Sequence, residues 1–597
     1  MTHREPFILL DDARTDREVA GQLYTKPEQI FVAWHPDQVI PVLEKADEAR
    51  LDTGHTLAGY CAYEAGLVLE PRLMPLAAQR TGANGPLVWL GLFPQAETLD
   101  AKGMEQWLDQ SAQGPASLGP LTPQISTGAY CKAFTALQEA ITAGDIYQAN
   151  LTFPLTGAWR GDPIALYAAL RPAGQAGYGA LVYDGSDWLL SLSPELFFRL
   201  QNGNAKVKPM KGTRPRSDDA MQDQSFAEDL AQSAKDKAEN LMIVDLMRND
   251  LGRVAMAGTV RVDQLFAIES YPTVHQMVSS VRARLQPGRG AQDLLRAIFP
   301  CGSITGAPKI RAMELINAIE RDARGPYCGA IGRISGNGDA AFNVAIRTLR
   351  LRETENQRGK AVLGVGSAIV ADSQPLPEWR EAIVKGSFAR QNAAGFDLIE
   401  TMRFDPHEGI PLLERHLERM KASAQALGFA FDRHMVRNRI QALSFELETA
   451  ARLRLLLARS GEVSIEASPV PAIADRPMRV IVLPLPVDEG DFRLRHKTSD
   501  RGFYDQAQEV AQHDGADEAL FLRDDGLLTE GSFTNIFVAR NDRLLTPPAS
   551  LGLLPGVLRQ SLIDEGRAQE AELSLDDLAG GFFLGNALRG LVKAELS

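Results

Sequence analysis

A few charged residues in this sequence sit in settings where their purpose could be chemistry. Lys211 lies in Lys208-Pro-Met-Lys-Gly-Thr-Arg-Pro-Arg216, between turn-forming neighbours. A lysine in so short and stiff a segment can be shielded from water, and a desolvated lysine gives up its proton more easily and becomes a nucleophile. An exposed loop lysine is the other reading of these residues. Glu195, in Ser193-Pro-Glu195, ends a strand-like run, where acids are site groups or solvated ones. Glu378, Glu381 and Lys385 recur at steps of three and four, which places them on one helix face. Two acids so placed can hold Mg²⁺ together with substrate oxygens, although the spacing alone favours an ion pair on an exposed helix. Lys497, in Arg495-His-Lys-Thr-Ser-Asp-Arg501, reads by itself as a surface lysine.

These groups need elements to position them. The segment from Ser225 to Leu251 reads as one long helix, with Ser225 and Glu228 as a capping box and Gly252 as the C-cap. Ala227, Leu230, Ala231, Ala234, Ala238, Leu241 and Met242 form its apolar stripe, and Glu239 lies beside that stripe. A rim salt bridge is the alternative role for this acid. Phe299-Pro-Cys-Gly-Ser-Ile-Thr-Gly-Ala-Pro-Lys309 is Gly-rich and opens a helix with Pro308 near its first position. Free backbone N–H groups at such a start can hold a carboxylate or phosphate. Glu314 follows on the polar side of that helix. A helix is expected near Tyr130–Ala143, and strands at Gly59–Gly66, Leu87–Phe93, Asp145–Thr152, Leu181–Tyr183 and Trp188–Ser193. Gln113 to Pro123 reads as a linker.

Length and composition set the outer bounds. A chain of 597 residues exceeds one core, so at least two domains are expected. Hydrophobic residues at 45% and charged residues at 23% describe an ordinary soluble protein. A formal charge of −13 argues against non-specific nucleic-acid binding, so an anionic substrate would need a locally basic pocket. The four cysteines, Cys61, Cys131, Cys301 and Cys328, form no CxxC pair and suggest neither a disulfide framework nor zinc. With no signal peptide or 18-residue apolar stretch in view, a cytoplasmic protein is expected, with no membrane partner.

From about Ile125 to Lys385 the sequence resembles the chorismate-utilising enzymes: anthranilate, aminodeoxychorismate, isochorismate and salicylate synthases. The matching pieces are Gly144-Asp-Ile-Tyr-Gln-Ala-Asn-Leu151, Ser193-Pro-Glu195, Lys211-Gly-Thr213 and Lys235 to Leu251. They continue with Gly302-Ser-Ile-Thr-Gly-Ala-Pro-Lys309, Ala345-Ile-Arg-Thr348, Gly364 to Asp372 and Glu378 to Lys385. The resemblance implies a two-layer α/β fold with the active site between two sheets, over residues 1–390. It implies Glu314 and Glu381 as Mg²⁺ ligands, with Glu378 close by. Arg347, Tyr327, Thr305, His275, Lys385 and the Gly364, Gly366 and Ser367 region would receive the substrate. Glu239 would protonate the departing C4 hydroxyl, and Glu195 would act as acid or base near Lys211. Gln148 stands where isochorismate and salicylate synthases carry a water-activating lysine, and Lys211 stands where anthranilate synthases show alanine. A lysine there marks aminodeoxychorismate synthase. None of the cysteines suits a glutaminase, so a glutamine amidotransferase partner, or free ammonium, is expected to supply ammonia.

Beyond Gly386–Gly395, a short connection, residues 396–597 resemble the fold-type-IV pyridoxal-phosphate enzymes. The residues are Glu414-Arg-His-Leu-Glu-Arg419, Lys497 to Arg501, Asp517-Glu-Ala-Leu520, Thr529 to Phe537, Leu554-Pro-Gly-Val-Leu-Arg559 and Gly585-Asn-Ala-Leu-Arg-Gly590. A strand is read at Phe396–Arg403 and a helix at Leu412–Leu427, with Leu413, His416, Leu417, Met420 and Ala424 inward. By this likeness Lys497 carries pyridoxal 5′-phosphate, Glu530 pairs with its ring nitrogen, and Arg419, Gly556, Val557, Leu558 and Asn586 complete the cofactor site. The stretch that precedes the Phe396 strand in the family is missing or replaced by the linker. Members usually dimerise, which makes a homodimer through this domain an expectation. Joined, the two likenesses imply a route from chorismate to 4-aminobenzoate, the second half acting as an aminodeoxychorismate lyase. An anthranilate synthase component bearing an aminotransferase, or a non-catalytic C-terminal domain that docks the glutaminase, are the alternatives.

Overall fold

A computed structural model describes residues 4–14, 19–77, 85–174, 176–217, 219–271, 274–355, 357–391, 395–472, 476–540 and 543–597. The chain divides into two compact units, Met1–Ala393 and Ala394–Ser597.

The first unit is built on an 11-stranded and a 10-stranded sheet. Side-chain alternation shows how they stack. In strand Thr56–Cys61, Leu57 and Cys61 pack with Val39 and Leu43 of helix Pro36–Thr53, whereas Ala58 and Tyr60 join Ile8, Tyr24, Trp89 and Val182 between the sheets. On the other sheet Leu363 and Val365 of strand Arg358–Ile369 pack outward against Phe134 of helix Thr127–Thr142 and Trp379 of helix Pro375–Lys385. Helices thus cover the outer faces and the two sheets face each other. Truncating a fully buried leucine here, such as Leu363, costs about 2–5 kcal/mol.

Two of the places where the chain passes from one sheet to the other lie side by side. Residues 192–195 link strand Asp187–Ser191 to strand Leu196–Gln201, and residues 345–347 link strand Ala340–Val344 to strand Thr348–Glu355. The two crossings are hydrogen bonded: Leu192 N–H donates to the Arg347 carbonyl at 3.0 Å, and Val344 N–H to the Glu195 carbonyl at 3.1 Å. Glu195 and Arg347 are therefore carried to the space between the sheets by the topology itself.

Three sequence expectations need correction. The long helix is two, Ala220–Gln232 and Ala234–Gly252. Asp219 caps the first, and the Ser233 hydroxyl accepts from Asp236 N–H to start the second, so Ser225 is mid-helix and no capping box forms there. The break resets the helical phase. The second helix buries Asn240, Ile243, Val244, Met247 and Leu251, and leaves Leu241 44% exposed. The segment read as a linker contributes two short strands, Ala116–Leu118 and Thr122–Pro123, to the long strand Gln148–Gly161. Gly59–Gly66 is strand only to Cys61 and turns into helix Ala65–Leu69.

In the second unit a three-stranded sheet (Leu398–Phe404, Ala451–Leu457, Val463–Pro469) packs against helices Leu413–Leu427 and Arg433–Ser444. His416, Leu417, Met420 and Ala424 are buried on the first helix, as their spacing predicts. An eight-stranded sheet spans Met478 to Leu596. All four cysteines are free thiols. Among the described residues no helix is long and apolar enough to cross a membrane. Asn392 to Ala394, within the connection, lie outside the described residues.

Candidate active sites

Lys211 belongs to strand Met210–Pro215, whose register against strand Val274–Arg284 slips between Met210 and Thr213. A slip of this kind re-aims the side chains within it. Gly212 beside it has φ +79°, and a Cβ there would run into Asp236, so glycine is required. Burial pushes the Lys211 ammonium below its ordinary value; Glu239, Glu195 and Glu381 oppose the shift, and Lys385 adds to it. The residues singled out in the sequence thus act on one another electrostatically.

Each neighbour has its own support. Glu195 is buried, and its carboxyl is pushed up to about 7 by burial, while Ser303, whose hydroxyl donates to Oε1 at 2.8 Å, and Lys211 pull it down. Burial also raises Glu239, against Lys211 and Lys235. Glu381 is raised by burial but lowered more by Lys385, whose Nζ lies 2.7 Å from Oε1, so its net shift is downward. Lys385 also donates to the Gly366 carbonyl at 3.1 Å. Glu378 accepts from the Ser373 hydroxyl at 2.7 Å. Glu314 is held by Arg72 at 2.9 Å and Arg311 at 3.0 Å. Among the described residues no group of three His, Cys, Asp or Glu is already spaced for a metal ion.

Arg347 has φ +49°, a left-handed backbone that a bulky residue adopts only under constraint. Burial lowers its guanidinium, and among the described residues no carboxylate pairs with it. Such a guanidinium is an empty clamp for an anion. The Tyr327 ring fills the space a Cβ on Gly364 would need, so it lies flat on that strand. Ser367 is buried, its hydroxyl 3.4 Å from that of Tyr130. Two other predicted substrate groups already make hydrogen bonds within the protein. The Thr305 hydroxyl donates to the Cys301 carbonyl at 2.8 Å, and both ring nitrogens of His275 are engaged, by Ser270 at 2.8 Å and Asp223 at 2.9 Å. A cavity of about 720 Å³ meets Tyr327 and Gly364 but not Lys211, Glu195 or Arg347. Sequence reasoning missed Ser303 and Lys235; both lie inside quoted motifs, but their roles depend on contacts across the fold.

In the second unit a cavity of about 440 Å³ is lined by Lys497, Arg419, Glu530, Gly556, Val557 and Asn586. Burial, with Arg501 and Arg419, lowers Lys497 to about 7 against Glu400 and Glu530. Glu530 is pushed up to about 7 by burial, although Tyr504 Oη donates to it at 2.6 Å and Leu554 N–H at 3.0 Å. Arg419 makes a two-pronged pair with Glu400, at 2.8 and 2.7 Å, and donates to the Pro555 carbonyl at 3.1 Å. Glu400 also meets His416 at 2.7 Å. Glu400 does not stand out in the sequence, and His416 reads there only as an inward residue of its helix. Gly556 caps helix Val557–Asp564, and a Cβ on it would overlap the Asn535 side chain. Asn586 accepts from Leu588 and Arg589 N–H and holds a turn. The Leu558 side chain packs beside Phe537 and Leu562.

Two facing sheets with a buried lysine opposed by three acids, and a second unit whose cavity holds another desolvated lysine, describe a two-domain architecture. Residues 5–391 match the chorismate binding enzyme family and residues 397–595 match amino-transferase class IV. The chain belongs to the chorismate binding enzyme family and carries a class IV aminotransferase domain after it. Aminodeoxychorismate synthase component 1 of Klebsiella aerogenes is 42% identical over 290 residues, which is 48% of this chain and 63% of that protein. Anthranilate synthase component 1 of Synechocystis sp. is 41% identical over 253 residues, 42% of this chain and 50% of that protein. The chain thus spans less than two thirds of the length of these relatives. The menaquinone-specific isochorismate synthase of Escherichia coli superposes with a TM-score of 0.51 at 18% identity, over 66% of this chain and 89% of that one, which shows the shared fold.

Proposed function

We propose that the chain makes 4-aminobenzoate, a folate precursor, from chorismate in two steps, one in each unit. The observation that carries the reading is Lys211: a lysine lowered by burial and ringed by Glu239, Glu195 and Glu381. A neutral amine there can add to C2 of chorismate as the C4 hydroxyl leaves. Glu239, raised by burial and so able to carry a proton, protonates that hydroxyl, which departs as water. Ammonia then bonds at C4 and the Lys211 amine leaves C2, giving 4-amino-4-deoxychorismate. Arg347 holds a substrate carboxylate throughout. Burial pushes Cys61, Cys301 and Cys328 up to about 12 and raises Cys131 as well, which does not favour a glutaminase thiolate and supports a glutamine amidotransferase partner or free ammonium as the ammonia source.

The acids suit Mg²⁺ in donor type, since Glu378 and Glu381 share one helix face and Mg²⁺ takes few protein carboxylates. Glu314 would exchange Arg72 and Arg311 for the ion, which would neutralise substrate carboxylate charge.

The second cavity fits pyridoxal phosphate: a desolvated Lys497, a buried Glu530 for the ring nitrogen, and Arg419 with the Val557 and Leu558 N–H groups for the phosphate. The cofactor, when bound, supplies an electron sink for the charge left at C4. Lys497 removes the C4 proton, and pyruvate departs to leave 4-aminobenzoate. Incubating the chain with chorismate, Mg²⁺, ammonium and pyridoxal phosphate tests both steps. 4-Aminobenzoate and pyruvate together are the expected products. Aminodeoxychorismate alone would overturn the second assignment, and anthranilate would overturn the first.

A further inference from the structure

The cavity of the second unit holds more positive charge than a cofactor phosphate consumes. Arg419 is matched by Glu400, and Arg501 lies 3.7 Å from Asp505 and donates to the Ser532 carbonyl. Three other arginines, Arg452, Arg454 and Arg589, face the cavity without such partners among the described residues. In strand Ala451–Leu457 the alternation buries Ala451, Leu453, Leu455 and Leu457, which turns Arg452 and Arg454 to the cavity face. Arg452 spends only Nε, on the Ser468 hydroxyl at 3.0 Å. Arg589 comes from the turn between strands Phe582–Asn586 and Gly590–Leu596, and its guanidinium lies 4.7 Å from the centre of the Phe533 ring.

Among the described residues neither Arg452 nor Arg589 has a carboxylate partner. Glu518, the acid that acts on Arg589, is taken up by Ser532 at 2.5 Å and Thr534 at 3.1 Å. Burial lowers Arg589, and Arg452 lowers it further, so the two cations repel across the cavity. An anion between them would remove that repulsion and fill both forks. Arg454, on the same strand face, offers a place for a second anionic group.

We propose that Arg452 and Arg589 form a carboxylate subsite that selects dicarboxylate amines over simple amino acids in the second unit. The proposal rests on the cofactor reading of this cavity. Its test uses the full chain loaded with pyridoxal phosphate and two inert probes, isophthalate and benzoate, titrated against the cofactor absorbance band. That band reports this cavity and not the first unit. Isophthalate should bind at least tenfold more tightly than benzoate, R452Q and R589Q should each lose at least tenfold for isophthalate, and R452K should keep part of the affinity. Unchanged isophthalate affinity in R452Q and R589Q, with the band intact, overturns the subsite alone. If no band forms, the cofactor reading fails instead. The subsite is then read by calorimetry with isophthalate on the cofactor-free R347Q chain, whose first-unit clamp is gone. Loss of binding on adding R452Q supports the pair, and no change overturns it.

Discussion

Both units hold a lysine pushed toward neutrality, but they reach that state by different routes. Lys497 is lowered by burial and by two arginines, Arg501 and Arg419, whose charge does not change across the working pH range. Lys211 is lowered by burial and by Lys385, against three acids, Glu239, Glu195 and Glu381. Glu195 and Glu239 are themselves raised by burial, so the charge opposing Lys211 changes with pH. The charges that lower Lys497 stay fixed, although Glu530, raised to about 7, opposes them with a charge that does change; Lys211 is opposed by acids that share its protons. A fixed field suits a lysine that must be a free amine to receive a cofactor. A shared proton set suits a step in which a nucleophile and an acid act together.

The sharpest way to break this comparison is to remove each lysine in turn. K211A should lower aminodeoxychorismate formation at least a hundredfold and leave the cofactor band intact. K497A should abolish the band and 4-aminobenzoate output while aminodeoxychorismate accumulates. Unchanged 4-aminobenzoate output from K497A would sink the role given to Lys497. Next in size is R347Q, which removes the unpaired guanidinium. Losing a charge-assisted clamp costs about 2–5 kcal/mol, so kcat/KM for chorismate should fall about thirtyfold or more. The second unit, assayed with aminodeoxychorismate, should be unaffected. A smaller effect probes the fixed field. With Lys497 near 7, cofactor uptake by the cofactor-free chain should speed up as pH rises through about 7. Arg501 lowers Lys497, so R501Q should move that midpoint to higher pH, by about a unit or less. A midpoint that stays put would remove Arg501 from the account.

How much of this was legible in the sequence differs by scale. Lys211, Glu195, Arg347 and Lys497 stand out through the family resemblance, whose motifs are short ordered runs; by themselves Lys211 and Lys497 also read as surface lysines. The resemblance gave Lys211, Glu239 and Glu381 separate roles, and no local pattern could give their influence on one another: these residues come from a strand slip and two helices. The long helix was misread because hydrophobic spacing continues across Ser233, whereas a side-chain cap restarts the phase there. Glu400, and the contact that His416 makes with it, escaped notice for a different reason. A buried acid in an alternating strand looks like an ordinary polar position until Arg419 arrives from the next helix.

The smallest expected effect decides what Glu195 does. Ser303 donates to it at 2.8 Å, and that bond favours the ionised carboxylate. In S303A the carboxyl should therefore titrate above its present value of about 7. One hydrogen bond contributes about 0.5–1.5 kcal/mol, which corresponds to a shift of at most about one unit. If Glu195 works as a base, the acid limb of the pH–rate profile for aminodeoxychorismate formation should move toward higher pH, and the rate near pH 7 should fall about threefold. If it works as an acid, the same substitution should extend activity to higher pH and leave the acid limb in place. A profile that moves in neither direction would mean that the proton on Glu195 is not used, and that its role is only to bias the charge of Lys211.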